Sequence, residues 1–136
     1  MNVVNLTPWE FVRATTGAAG FDLRAHITGK IRLTSSYVKI PTGIRVAVPD
    51  YYCGEVRPRS SITLRNIDIP LGTIDSDYRG EISVLARCLE GDQLIEPGDR
   101  IAQLVLVPLF RPRLDFVATL DETARGEGGF GSTGVK

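Results

Sequence analysis

Short apolar runs rich in β-branched residues, broken at intervals by Gly, Pro and Ser, set the pattern of this chain. The stretch IRLTSSYVKIPTGIRVAVP, residues 31–49, is of this kind; such runs between turn formers predict strands. GEISVLARCL, residues 80–89, continues the pattern. RIAQLVLVPLF, residues 100–110, is apolar on both of its faces, which predicts a strand buried on both sides. Helical character is confined to one short piece, SSITLRN from Ser60, with Ser60 or Ser61 as its N-cap. The 14 Gly and 8 Pro are spread along the chain rather than pooled in a linker. Strands recurring about every ten residues between turn signals predict an all-β sandwich, barrel or jelly roll. Only near Asp121 does the core pattern give way, to a Gly-rich tail that includes RGEGGFGSTG, residues 125–134.

Length and composition narrow the picture further. A chain of 136 residues is one domain by size. Basic and acidic residues balance at 16 each, so no charge field points to nucleic acid or to a membrane surface. The basic residues are skewed, with 13 Arg against 3 Lys, and Arg forks suit bidentate binding of phosphate or carboxylate. Cys53 and Cys88 lie far apart in apolar surroundings, which fits buried thiols in a reducing compartment rather than a zinc site or disulfide framework. No apolar run approaches 18 residues and no basic-then-apolar leader opens the chain. The expectation is a cytoplasmic protein.

Five stretches join polar groups to turns. AAGFDLRA puts Asp22 at the start of a strand; RPRSSIT puts Arg59, Ser60 and Ser61 at a helix N-terminus. GTIDSDYRGE crowds Asp75, Asp77, Tyr78, Arg79 and Glu81 into one hairpin, and PGDRIAQ brings Asp99, Arg100 and Gln103 to the start of the buried strand. The tail adds Arg125 and Phe130 among glycines. Unpaired N–H groups at a helix start beside an Arg and two hydroxyls make an anion site. Gly-rich backbone near Arg125 can turn several N–H groups toward a second phosphate. Two such sites suit a polyphosphate, and a polyphosphate implies Mg²⁺, which takes oxygen ligands and keeps most of its waters. Asp22, Asp75, Asp77 and Asp99 are candidates for holding the metal or activating water. Tyr78 and Phe130 offer flat faces to a sugar and a base.

Plainer readings stand beside these. Ser60 is also explained as a helix cap, Asp75 and Asp77 as turn formers, and Asp99 as a loop acid. Gln103 in an apolar strand needs a partner, which a core hydrogen bond supplies as well as a ligand does. Trp9 and Phe11 read as packing residues, and His26 has no assigned role.

Taken together and in order, AGFDL, PRSS, GTIDSDYRGE, GDRIAQL and RGEGGFGSTG resemble the five motifs of the homotrimeric dUTPase family, from Ala18 to Gly134. The resemblance implies a jelly-roll-like β protomer, residues 1–124, with a flexible C-terminal arm, residues 125–136, that closes over the active site. It implies a dUTP diphosphatase that releases dUMP and pyrophosphate by attack of water on the α-phosphorus. Asp75 matches the acid that activates the water and contacts the 3′-hydroxyl, and Tyr78 the ring against the sugar. Gly72, Thr73 and Ile74 match the backbone that reads uracil. Arg59, Ser60, Ser61 and Gln103 match phosphate or water contacts, Ser60 and Gln103 standing with Asp75 as catalytic candidates. Asp22 matches an acid near Mg²⁺, acting through a water. Arg125 matches the γ-phosphate clamp, Phe130 the ring over uracil, and Gly131, Ser132 and Thr133 further tail contacts. Each site of the implied trimer draws on three subunits.

Two stretches depart from the family pattern. ITLRNIDIPLG, residues 62–72, follows the second motif, and Ile69, Pro70 and Leu71 before Gly72 offer no polar side chain to a base. The nearest rival is dCTP deaminase, alone or bifunctional, which shares the fold and a similar RSS segment; the third and fifth motifs favour the diphosphatase. A non-catalytic, dUTPase-like binding protein is the rival of another kind, and it is disfavoured because every candidate position is filled.

Overall fold

A computed structural model describes residues 1–129. Phe130, Gly131, Ser132 and Thr133 lie outside the described residues. The described residues form eleven strands and one short helix. In order they are β1 (Asn2–Asn5), β2 (Gly20–Arg24), β3 (Ile31–Leu33), β4 (Val38–Pro41), β5 (Ile44–Ala47) and β6 (Tyr52–Pro58), then α1 (Ser60–Thr63). After the helix come β7 (Ile67–Asp68), β8 (Gly72–Ile74), β9 (Ser83–Cys88), β10 (Gln93–Ile95) and β11 (Arg100–Pro108). All pairings are antiparallel. A four-stranded sheet runs β2-β11-β6-β8 and a three-stranded sheet β4-β9-β7, with the two-stranded ribbons β1-β5 and β3-β10 beside them.

The predicted two-sided burial of the last strand holds. β11 is paired on both flanks, with β2 and with β6, and Ile101, Ala102, Leu104 and Val105 along it are all buried. In β9 the alternation is clean: Val84, Ala86 and Cys88 point inward, Leu85 outward. That is the pattern of an antiparallel strand with one face on the core. Residues from every large sheet, among them Leu23, Ile40, Val56, Ile82 and Leu104, share one apolar cluster. Cys53 and Cys88 are buried free thiols. Trp9 meets His26 edge to face and Phe11 stacks on Phe21, so both aromatics pack, as expected.

Two sequence expectations change. The helix is only Ser60–Thr63; its N-cap is Arg59, with no side-chain capping bond, rather than Ser60 or Ser61. Turn residues follow it, ending at Asn66 in the left-handed region (φ 57°), a conformation Asn tolerates. The segment GTIDSDYRGE is not a paired hairpin either. β8 joins β6 while β9 joins β4 and β7, so the two arms of the turn diverge into different sheets.

Candidate active site

The divergence of β8 and β9 builds the more open of two polar constellations. β8 is the edge strand of its sheet. On β9 the flank away from β4 is paired only at Arg87 and Cys88, through β7, which leaves it open at Ser83. A cleft of about 180 Å³ opens here, bordered by Thr73, Ile74, Asp75 and Tyr78 from the predicted motif. Lys39, Glu81 and Ser83 complete the border. Lys39 and Ser83 were not singled out from the sequence: Lys39 sits in a strand remote from any motif, and Ser83 lies just past the end of the third.

The turn itself is tightly tied. Tyr78 N–H donates to the Asp75 carbonyl at 3.2 Å, a turn bond that leaves the Asp75 carboxylate free of it. The Tyr78 hydroxyl donates to the Glu81 carbonyl at 3.0 Å, laying the ring back across Gly80. Arg79 donates to the carbonyls of Ser76 and Tyr78 at 2.7 and 2.9 Å, which spans the turn. Glu81 Oε1 accepts the Gly43 N–H at 2.7 Å and so anchors the turn to the β4–β5 connection. Arg79 and Glu81 therefore brace the turn rather than border it as free ligands. Gly72, Thr73 and Ile74 pair with Val56, Glu55 and Gly54 of β6.

The second constellation gathers at the other edge of the same sheet. Asp22 in β2 sits opposite Gln103 in β11. Its side chain is 13% exposed and lies between two guanidinium groups, Arg59 Nε at 3.3 Å and an Arg100 terminal nitrogen at 3.3 Å. A partly buried carboxylate needs such partners, because desolvation without them is costly. Arg59 also donates to the Arg100 carbonyl at 3.4 Å. Gln103 donates to the Pro58 carbonyl at 3.2 Å, an exposed bond to the neighbouring strand β6 that gives its amide a partner. Gly20 permits this packing: a Cβ there would fall 2.8 Å from Gln103 Oε1. Ser60 and Ser61 open α1 beside this group, with N–H groups that a helix start leaves without intrahelical partners.

Asp99 turns out to serve its own loop, its Oδ2 accepting the Glu96 N–H at 3.0 Å. Arg125 donates to the Gly128 carbonyl at 2.8 Å and touches neither constellation. Strands β11 and β6 separate β2, which carries Asp22, from β8, whereas Gln103 lies on β11 and Arg59, Ser60 and Ser61 follow the end of β6, the strand next to β8. Among the described residues no three His, Cys, Asp or Glu side chains converge as a metal cage, and no helix is long and apolar enough to cross a membrane.

Comparison with known proteins gives this geometry its setting. The family model of dUTPase matches residues 10–134. The chain belongs to the dUTPase family. It is 49% identical over 130 residues to the deoxyuridine 5′-triphosphate nucleotidohydrolase of Caulobacter vibrioides, covering 90% of this chain and 83% of that protein. The solved dUTPase of Staphylococcus bacteriophage 80alpha with dUPNHPP is 27% identical, with a TM-score of 0.85 and 98% coverage of both chains. A mutant dUTPase from phage phi11 of S. aureus, solved to show the coordination of a structural Mg(II) ion, shares the fold at 23% identity and a TM-score of 0.78, over 87% of this chain and 96% of that one. As a dUTPase the protein is a hydrolase of nucleotide metabolism that acts on dUTP, and its all-β architecture is that of the family. Neither expected rival, the deaminase nor the inactive binding protein, is needed.

Proposed function

We propose that this dUTPase releases dUMP and pyrophosphate by in-line attack of water on the α-phosphorus, limiting uracil incorporation into DNA and supplying dUMP for thymidylate synthesis. The observation that supports it best is the open turn between β8 and β9, with Asp75 and Tyr78 at one cleft. Strand edges with unpaired N–H and C=O groups can read a pyrimidine base by hydrogen-bond polarity. The wrong base then leaves rigid groups unpaired, which is heavily penalised. In this reading Gly72, Thr73 and Ile74 read uracil. The Tyr78 ring lies against the deoxyribose and crowds a 2′-hydroxyl.

Asp75 takes the proton of the attacking water and contacts the 3′-hydroxyl. General-base help of this kind is worth about 10²–10⁴-fold. Arg59, Ser60, Ser61 and Gln103 bind phosphate oxygens or water at the second constellation, where guanidinium and N–H donors stabilise charge developing on the phosphates. Arg125 clamps the γ-phosphate, Phe130 covers the base, and Gly131, Ser132 and Thr133 add tail contacts.

The donor set fits Mg²⁺ carried by the substrate. Mg²⁺ prefers phosphate oxygens and water to an all-protein cage, and both oxygens of Asp22 already face arginines, which suits an acid that acts through a water. Bound there, the ion would neutralise phosphate charge.

Arg125 bonds to Gly128 and not to the cleft residues of its own chain, which favours a homotrimer in which each site is completed by neighbours: residues 1–124 form the barrel and residues 125–136 the arm that closes over a site. The setting is the cytoplasm, with no nucleic-acid or membrane partner. Two measurements test the reading. Pyrophosphate release is compared across dUTP, dTTP, dCTP and UTP, with and without Mg²⁺; equal rates on dUTP and UTP would overturn the role of Tyr78. Asp75→Asn subunits are then mixed with Arg125→Ala subunits. Recovered activity supports shared sites, and none after proven exchange excludes them.

A further inference from the structure

The cleft between β8 and β9 has one bordering group to which the reading above gives no part. Lys39 comes from β4, the strand beyond β9. In the β4–β9 register Pro41 faces Ser83 and Lys39 faces Leu85, so Lys39 borders the cleft at its root, away from the turn that carries Asp75 and Tyr78. Two of its neighbours are already committed. Glu81 Oε1 is taken by the Gly43 N–H and the Tyr78 hydroxyl by the Glu81 carbonyl. Lys39 is exposed and forms no ion pair among the described residues. An ammonium donates in three directions and accepts in none.

The cleft measures about 180 Å³. That is below the roughly 300–1,000 Å³ of pockets that enclose drug-sized ligands, so it suits one part of a nucleotide rather than the whole, and the Tyr78 ring on its border suits the nucleoside end. With the sugar at Tyr78 and Asp75, the base lies toward the root. We infer that Lys39 is a specificity-determining residue of this dUTPase, its ammonium donating to a keto oxygen of the pyrimidine base. A base with an exocyclic amino group in that place would set donor against donor and leave both unpaired. The inference rests on the proposed nucleoside cleft, and the test separates the two.

Inhibition of the full-length enzyme by dUMP and by dCMP is measured for the parent, Lys39→Met, Lys39→Arg and Tyr78→Ala, together with kcat/KM for dUTP and dCTP. Loss of a charge-assisted hydrogen bond corresponds to about ten- to a hundredfold in affinity. Lys39→Met should weaken dUMP by that factor, leave dCMP little changed, and lower the dUTP-to-dCTP ratio of kcat/KM accordingly. Lys39→Arg should retain most of the preference, and melting temperatures should not move because the side chain is exposed. Equal weakening of dUMP and dCMP means general charge attraction and overturns the inference. Unchanged dUMP inhibition in Lys39→Met, with a loss in Tyr78→Ala, removes Lys39 alone. Unchanged inhibition in both variants removes the nucleoside cleft as well.

Discussion

Gly80 offers a sharp test of whether the Tyr78 ring must lie where it does. Gly80 carries no left-handed backbone angle, so alanine is permitted there by conformation. What alanine meets is the ring. An ideal Cβ on Gly80 would press on the Tyr78 hydroxyl and Cζ and lie 2.9 Å from Cε2, closer than real Cβ atoms come. The ring is 42% exposed and has room to swing outward, but only by breaking its 3.0 Å bond to the Glu81 carbonyl. A partly exposed hydrogen bond is worth about 0.5–1.5 kcal/mol, so Gly80→Ala should lower the melting temperature by only about 2–5 °C.

Catalysis should suffer more. A misplacement of about 1 Å in a positioning group can cost about 10²-fold, and the ring must move by at least that much. The assay is kcat/KM for dUTP in Gly80→Ala, Tyr78→Ala and the double variant. The structure predicts that Gly80→Ala costs about 10–100-fold alone and almost nothing further once Tyr78 is alanine, a non-additivity expected only of residues in contact. Parent-like kcat/KM in Gly80→Ala, or strictly additive losses, would refute the positioning of the ring.

Asp75→Asn should keep the melting temperature and dUMP affinity of the parent while slowing pyrophosphate release by about 10²-fold or more; near-parental turnover would make Asp75 a turn former. Deleting residues 125–136 should cut kcat/KM by at least about fivefold, since base stacking alone contributes about 1–3 kcal/mol. The melting temperature should hardly move, because Arg125 bonds only within the tail; a truncated enzyme with the parent's kcat/KM would exclude the arm from the site. Away from the site, Asp68 accepts from the Tyr37 hydroxyl at 2.6 Å and from Arg87 at 2.9 Å. The Tyr37 bond first, and Arg87 after it, hold the carboxyl below its ordinary pKa of 3.8. A folded pKa below the unfolded one stabilises at higher pH and loses that contribution as pH falls through the folded value. Tyr37→Phe should therefore melt below the parent at pH 6, with the gap closing as pH drops below about 4; a gap that persists at acid pH would assign the effect to packing alone.

Local chemistry wrote much of this protein directly into its sequence. A short β-branched run apolar on both faces and set between turn formers reads as a central strand, and residues 100–108 became one, with partners on either flank. The family's polar residues stand in short motifs that each sit on one turn or strand start, so Asp75, Tyr78, Arg59 and Asp22 were legible as candidates before any fold was known. Gln103 announced its need for a partner because an amide in an apolar strand must have one.

Pairing across the chain was not legible. Nothing local says that the strands before and after Asp75 enter different sheets, because each is short and reads equally well as half of a hairpin. The cleft exists only because tertiary packing parts them. The helix cap was misplaced for a related reason: Ser is a good cap by propensity, yet the backbone leaving β6 remains extended through Arg59 and puts Ser60 inside the first turn. Asp22 lies between Arg59 and Arg100, residues 37 and 78 positions away in sequence,, and Lys39 reaches the cleft from a strand outside every motif. Sequence determines which groups a short segment presents, because that depends on neighbours along the chain. Which groups face one another across a sheet depends on register and sheet order, and those are decided by the packing of the whole core.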